Sequence, residues 1–327
     1  MIHWTFRTEY LPQKAEFTIS HRDKIMLIGS CFAVNIGEIL HLHKFQTDSN
    51  PLGIVFNPAS VSQSLELLCG EKIFTENDLL YFDNQWISLS HHGDFSSPDK
   101  EQCLQNINQR LQKSRIFLQN ADYLIITLGT SEIYRYKKTA QIVANCHKIP
   151  STEFEKTMLS VEDTVACLTK AINCIQLINS QLKIIFTVSP VRYLKGSMTG
   201  NALSKARLLC AVNELITKFS HLSYFPSYEI MTDDLRDYRF YDIDKIHPSK
   251  EAVLYLWHIF ECMYFDDKTL KINQLTKEIT TAAQHRFKNP HSVASSQFKQ
   301  QILNKIENLL TQEPYLDFEQ ELEYFKI

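Results

Sequence analysis

Glycine and proline are scarce in this chain, at 8 and 10 of 327 residues. That scarcity excludes collagen-like and Pro/Gly-rich disordered classes. No run of about 18 apolar residues occurs, so no membrane-spanning helix is expected. Charge of one sign is also lacking: 34 basic residues face 37 acidic ones, net −3, and no basic stripe marks a nucleic-acid footprint. The opening residues, MIHWTFRTEYLP, lack a basic segment followed by an apolar one, so no secretory signal is expected. The eight cysteines form no CxxC pair. They are expected to be reduced, mostly core-filling thiols in a cytoplasmic protein, with no structural zinc.

What is present is an ordinary globular composition, 44% hydrophobic and 22% charged. The length suits one large domain or two small ones. Short apolar runs alternate with helical patterns. KIMLI at 24–28, YLIITL at 123–128 and IIFTV at 184–188 are expected strands, and the first two end at a glycine. Residues 161–179 and 203–220 carry helical spacing, and a weaker strand follows at 222–225. Strands separated by helices predict a three-layer α/β/α sandwich with a mainly parallel sheet, whose ligands sit at the carboxyl ends of the strands. Residues 1–265 are assigned to this domain. The polar remainder, 266–327, is expected to form a helical extension packed on the domain's edge, with an amphipathic stretch at 297–310.

Two segments carry chemistry. In Ile28-Gly29-Ser30-Cys31-Phe32-Ala33 a strand stops at a glycine and a helix starts at once. Ser30 or Cys31 then stands at a helix N-terminus, where free N–H groups stabilise an anion and can lower a thiol pKa. The plainer alternative is a turn whose Ser caps the helix. In Asp244-Lys245-Ile246-His247-Pro248, Pro248 suits the first helical position, with His247 just before it and kept neutral by the positive helix end. Asp244 can curl back to hold the ring, as the base–orienter pair of a triad requires. The alternative is an exposed Asp turn beside a capping His.

These residues carry a resemblance. GSCFA at 29–33, PLGIVFNP at 51–58, LGT at 128–130, NCHK at 145–148, TVSPVR at 187–192, SKA at 204–206, YFPSYEI at 224–230 and LRDYRFY at 235–241 resemble the blocks of the GSCFA-domain family, a bacterial group placed beside the SGNH/GDSL hydrolases. The match covers roughly residues 20–260. One departure is Tyr193, where the family is expected to carry His. The resemblance to SGNH hydrolases is remoter. It implies an SGNH-like sandwich, with Asp244 and His247 as the late D-x-x-H, Gly53 as an oxyanion glycine, and Gly129-Thr130-Ser131-Glu132 in place of G-x-N-D. Ser131 stands where that motif has Asn, so the side-chain donor falls to Ser131 or Asn57. Laying Gly-Asp-Ser on Gly29-Ser30-Cys31 puts Cys31 at the nucleophile position; matching Ser to Ser gives Ser30.

The implied function is an esterase or acyltransferase acting on an acylated small molecule or glycan through Cys31 or Ser30, with the Asp244–His247 pair. No bound cofactor is called for; a transferase would need an acyl donor such as acyl-CoA as co-substrate. His147 and Arg192 are candidate substrate contacts, Arg192 as a carboxylate or phosphate clamp. His91-His92 has no third ligand nearby in sequence, so a metal is not expected. The rival class is a non-catalytic ligand- or glycan-binding protein that keeps the fold.

Overall fold

The computed structural model describes residues 7–284, 289 and 292–326. Five parallel strands form the central sheet: β1 (Lys24–Gly29), β2 (Gln46–Ser49), β3 (Tyr123–Leu128), β4 (Lys183–Val188) and β5 (Leu222–Tyr224), in the order β2-β1-β3-β4-β5. The order reverses between β1 and β3, and in open α/β sheets that is where a ligand crevice opens. The helices are α1 (Cys31–Leu42), α2 (Pro58–Cys69), α3 (Lys100–Gln119), α4 (Val161–Ile178), α5 (Met198–Lys218), α6 (Lys250–Tyr264), α7 (Asp267–Ala283), α8 (Val293–Gln312) and α9 (Glu319–Lys326).

The alternation of a strand's side chains builds both layers. Met26, Ile28, Leu124, Ile126, Ile184 and Phe186 face α2–α5 through Leu65, Ile107, Leu168 and Leu208. Their neighbours Ile25, Leu27, Ile125 and Ile185 face α1 and α6 through Phe32, Ile36, Leu256 and Phe260. Because both faces are covered, the strands read as continuous apolar runs, as parallel strands do. The expected sandwich is therefore present, with helices on both sides of a parallel sheet.

Some details differ from expectation. Strand β2 is the polar QTDS and gives no apolar signal. Its pairing with β1 is secured partly by Asp48, buried and held by the Arg110 guanidinium. Two antiparallel hairpins, 80–87 and the pair Glu132–Tyr136 with Phe154–Met158, lie outside the main sheet. Helix α5 begins at Met198, five residues before the expected start, because Ser197 caps it through the Gly200 N–H. Helix α6 begins at Lys250 with Ser249 as its cap, so Pro248 lies outside the helix rather than at its first position. In the C-terminal stretch, α7–α9 share a core of their own, including Ile279, Ile306 and Phe318. They meet the sandwich where the His43 ring bonds the Asn273 carbonyl at 3.1 Å and Lys44 pairs with Glu321 at 2.7 Å. Within the stretch expected to be helical, residues 285–288, 290–291 and 327 lie outside the described set.

Candidate active site

The site is built first by close backbone approach at the end of β1. Gly29 is opposite Thr127 on β3, and a Cβ there would stand 2.4 Å from the Thr127 carbonyl oxygen. Only glycine lets the two strands close at this point, and the chain then turns directly into α1. The Gly29 N–H is taken by the Asn50 side chain at 2.8 Å. Ser30 is the N-cap: its Oγ accepts from the Phe32 N–H at 3.3 Å and donates to the Ser189 hydroxyl at 3.0 Å. Cys31 is the first helical residue, half-buried.

The histidine loop is shaped by Asp244. Its Oδ1 accepts from the Ile246 and His247 N–H groups at 2.8 and 3.0 Å, and its Oδ2 lies 2.6 Å from His247 Nδ1. Lys245, at φ 58°, supplies the left-handed step that folds the loop back. The His247 ring holds the Asp244 carboxyl down at about 2, helped by those two backbone N–H groups. An ionised carboxylate only accepts hydrogen bonds, so Nδ1 carries a proton, and in the neutral ring the lone pair is on Nε2. The pairing comes from this loop and not from a helix end, because α6 starts only at Lys250. A backbone bond from Arg192 N–H to the Ile246 carbonyl, 3.1 Å, ties the loop to the turn after β4.

One cavity of about 460 Å³ gathers these pieces at the carboxyl ends of β1, β3 and β4. Ser30, Cys31, Gly129, Ser189, Arg192 and His247 line it, with Phe56, Tyr193 and Leu194 making it mostly apolar. Asp244 joins it through His247. The other sequence candidates stand elsewhere. The Gly53 N–H is given to the Asn50 carbonyl, and the residue packs against His92. Asn57 caps α2 through the Ser60 N–H. Ser131 is buried, donating its N–H to Ser204 at 2.7 Å. The His147 Nε2 lies 2.8 Å from the Ser88 carbonyl and 3.1 Å from that of His91, so this N–H is spent inside the structure. Burial also pushes its ring toward the neutral form. His91 is buried, held at Nδ1 by Ser88 and pushed down to about 3 by burial.

The thiol corrects one expectation. Burial pushes Cys31 above the ordinary thiol value, and its own backbone N–H offsets only part of the rise. The helix end therefore does not leave a standing thiolate. Two residues of the sequence blocks, one in this cavity and one behind it, carried signals whose roles were not read. Ser189 ends β4 in the TVSP turn; its Oγ accepts from Ser30 and from the Val191 N–H at 3.2 Å, which leaves its own proton free. Lys205, in the SKA block, is 1% exposed and donates to the Ser189 carbonyl at 2.6 Å.

Fold and site together define a doubly wound α/β protein with Cys/Ser, His and Asp gathered at the switch point of its sheet. The chain belongs to the GSCFA family: the family's model matches residues 24–260, and the model described as "GSCFA domain protein, C-terminal domain" matches residues 276–327. No curated protein matches the chain. Among solved structures, it is similar to a carbohydrate esterase family 3 from Talaromyces cellulolyticus, with TM-score 0.37 and 8% identity over 78% of this chain and 99% of that one. It is similar at the same TM-score and identity to a protein described as an acylhydrolase from Bacteroides fragilis, over 81% of this chain and 92% of that one. Likenesses this distant carry no argument about residues or activity. Among the described residues, no helix is long and apolar enough to cross a membrane.

Proposed function

We propose that this protein is an esterase or acyltransferase acting on an acylated small molecule or glycan, with Cys31 as nucleophile. The observation that carries the reading is the 2.6 Å contact between Asp244 and His247 Nδ1, which leaves Nε2 of a cavity-lining His free to accept a proton. Because the thiol rests protonated, His247 acts in the attacking step and not before it. Sulfur bonds to the acyl carbon as its proton passes to Nε2, and Asp244 stabilises the imidazolium. The carbonyl–alkoxy bond then breaks, and the leaving alcohol takes the proton from His247. Water, or an acceptor hydroxyl in a transferase, attacks the thioester with His247 again taking a proton, and Cys31 returns as the thiol.

The oxyanion donors follow from which N–H groups are still free. Those of Gly53, Gly129 and Ser131 are spent, Asn57 holds its own helix, and Phe32 and Ala33 give their N–H groups to Ser30, so the role falls to the Cys31 N–H and to the Ser189 hydroxyl. A donor of this kind is worth about 10²–10³ in rate. The apolar wall of Phe56, Tyr193 and Leu194 suits an acyl chain. The test is hydrolysis of p-nitrophenyl acetate, with and without acyl-CoA and sugar acceptors. Wild type should turn over and His247→Ala should lose nearly all of the rate. Equal activity in the two proteins sinks the reading; no turnover at all, with retained glycan binding, points instead to a binding protein.

A further inference from the structure

The turn after β4 has a second side. Val191 and Arg192, which line the Cys31 cavity, also line a separate cavity of about 340 Å³ between the start of α5 and residues 228–241. Three cationic side chains reach it: Arg192, Lys205 and Arg236. The single carboxylate in its lining, Asp237, is engaged on the Arg239 N–H at 2.8 Å.

None of the three has a carboxylate partner among the described residues. Lys205 is 1% exposed, and its one hydrogen bond goes to a carbonyl. An ammonium has three donors, so two are unspent. No carboxylate among the described residues pairs with it, and the Tyr228 ring lies 5.7 Å away. Burial pushes it down to about 7, the cost expected of a buried cation without a counter-ion. Arg192 lies 5.9 Å over the Tyr241 ring and its guanidinium donates to the Lys245 carbonyl at 3.4 Å, with no ion pair among the described residues. Arg236 follows a π-helical turn, Ile230–Leu235, in a left-handed conformation with φ 45°, and is exposed with no ion pair among the described residues. The opening of α5 adds the positive end of a 21-residue helix to the same cavity.

We infer that this second cavity binds an oxyanion, a phosphoryl or carboxylate group, and that the group belongs to the substrate whose acyl ester occupies the neighbouring cavity. The second clause rests on the function proposed above; the first does not. The two cavities share the wall formed by Val191 and Arg192, so one small molecule can present its ester to Cys31 and its anion to Lys205, Arg192 and Arg236. The substrate class is thereby narrowed to anionic acyl esters, such as an acylated sugar phosphate or an acylated uronic acid.

The experiment is equilibrium binding to the full chain, with inorganic phosphate and malonate titrated separately and followed by calorimetry and by 31P line width. Saturable binding is expected for one of them, on the order of 1 mM or tighter. Phosphate binding assigns a phosphoryl group and malonate binding a carboxylate. Arg236→Gln, at an exposed position where folding is not at risk, should weaken binding about tenfold, the loss of one charge-assisted contact; Lys205→Met should weaken it further. Cys31→Ala should bind as wild type does, so the anion site is judged even if no ester is hydrolysed. Absence of saturable binding of either anion, or binding unchanged in both Arg236→Gln and Lys205→Met, overturns the inference.

Discussion

The Ser30 hydroxyl stands 3.0 Å from the hydroxyl of Ser189 while capping the helix that Cys31 begins. Two partners thus occupy the Ser30 oxygen, and in the proposed mechanism the thiol beside it does the attacking. Cys31→Ala should abolish ester turnover with little loss of fold. Ser30→Ala should lose about 1 kcal/mol of stability with its cap and should slow turnover much less. An ester assay and a thermal melt on each variant check this. Reversed ranks would make Ser30 the nucleophile.

Because burial raises the Cys31 thiol, its alkylation should be slow near neutrality and should accelerate only above the ordinary thiol value of 9.0. Iodoacetamide labelling against pH, read at the Cys31 peptide by mass spectrometry, measures it. Fast labelling at pH 7 would mean a standing thiolate and a different first step.

Asp244 gives a pH prediction with a definite sign. Its folded pKa, about 2, lies below the ordinary 3.8. The stabilisation from the His247 contact is therefore complete above 3.8 and lost only as the pH falls toward 2. Its titration should leave no step in the rate between pH 4 and 8. Asp244→Asn should cut the rate by about 10²–10⁴, since the ring loses its partner and its tautomer. An Asn variant as active as wild type would remove Asp244 from the mechanism.

Lys205 predicts the pH dependence of stability. Its folded pKa of about 7 lies below the ordinary 10.5, so between those values the unfolded chain binds more protons than the folded one. Stability should rise with pH across that window, and Lys205→Met should flatten the rise. Urea unfolding at pH 6.5, 8 and 9.5 measures the slope. An unchanged slope would mean that Lys205 stays charged in the folded protein.

His43 behaves similarly at lower pH. Burial holds its ring at about 4, below the ordinary 6.5, so the folded protein keeps it neutral against Asn273 and Thr276. Stability should fall as pH drops from 6.5 toward 4, and His43→Gln should lessen that fall. Circular dichroism during acid titration of both proteins shows whether it does.

Much of this was legible in the sequence because the central strands are buried on both faces. KIMLI, YLIITL and IIFTV are continuous apolar runs, and Gly29 with its short turn marks where the first of them stops. The Asp244-to-His247 spacing also reads directly, since three residues are what a carboxylate needs to reach back to a ring. The strand at Gln46–Ser49 was hidden because its burial rests on an ion pair between Asp48 and Arg110, 62 residues apart, which no local pattern announces. The start of α6 was displaced because Ser249 outcompetes Pro248 as the organising residue: a side-chain cap satisfies an N–H, whereas proline merely lacks one. Lys205 looks in sequence like any helical surface lysine. Only the fold, by turning that face of α5 inward, makes it a buried lysine without a carboxylate partner.

Helix α1 carries Cys31 at its first residue, and just past its last turn stand His43 and Lys44, which receive the C-terminal helices. Twelve residues make a rod of about 18 Å that neither stretches nor compresses easily. The two segments matched by separate family models are thus joined through one helix, with the proposed nucleophile at one end and the seat of the C-terminal helices at the other. The C-terminal helices thus rest on the far end of the same helix that Cys31 opens.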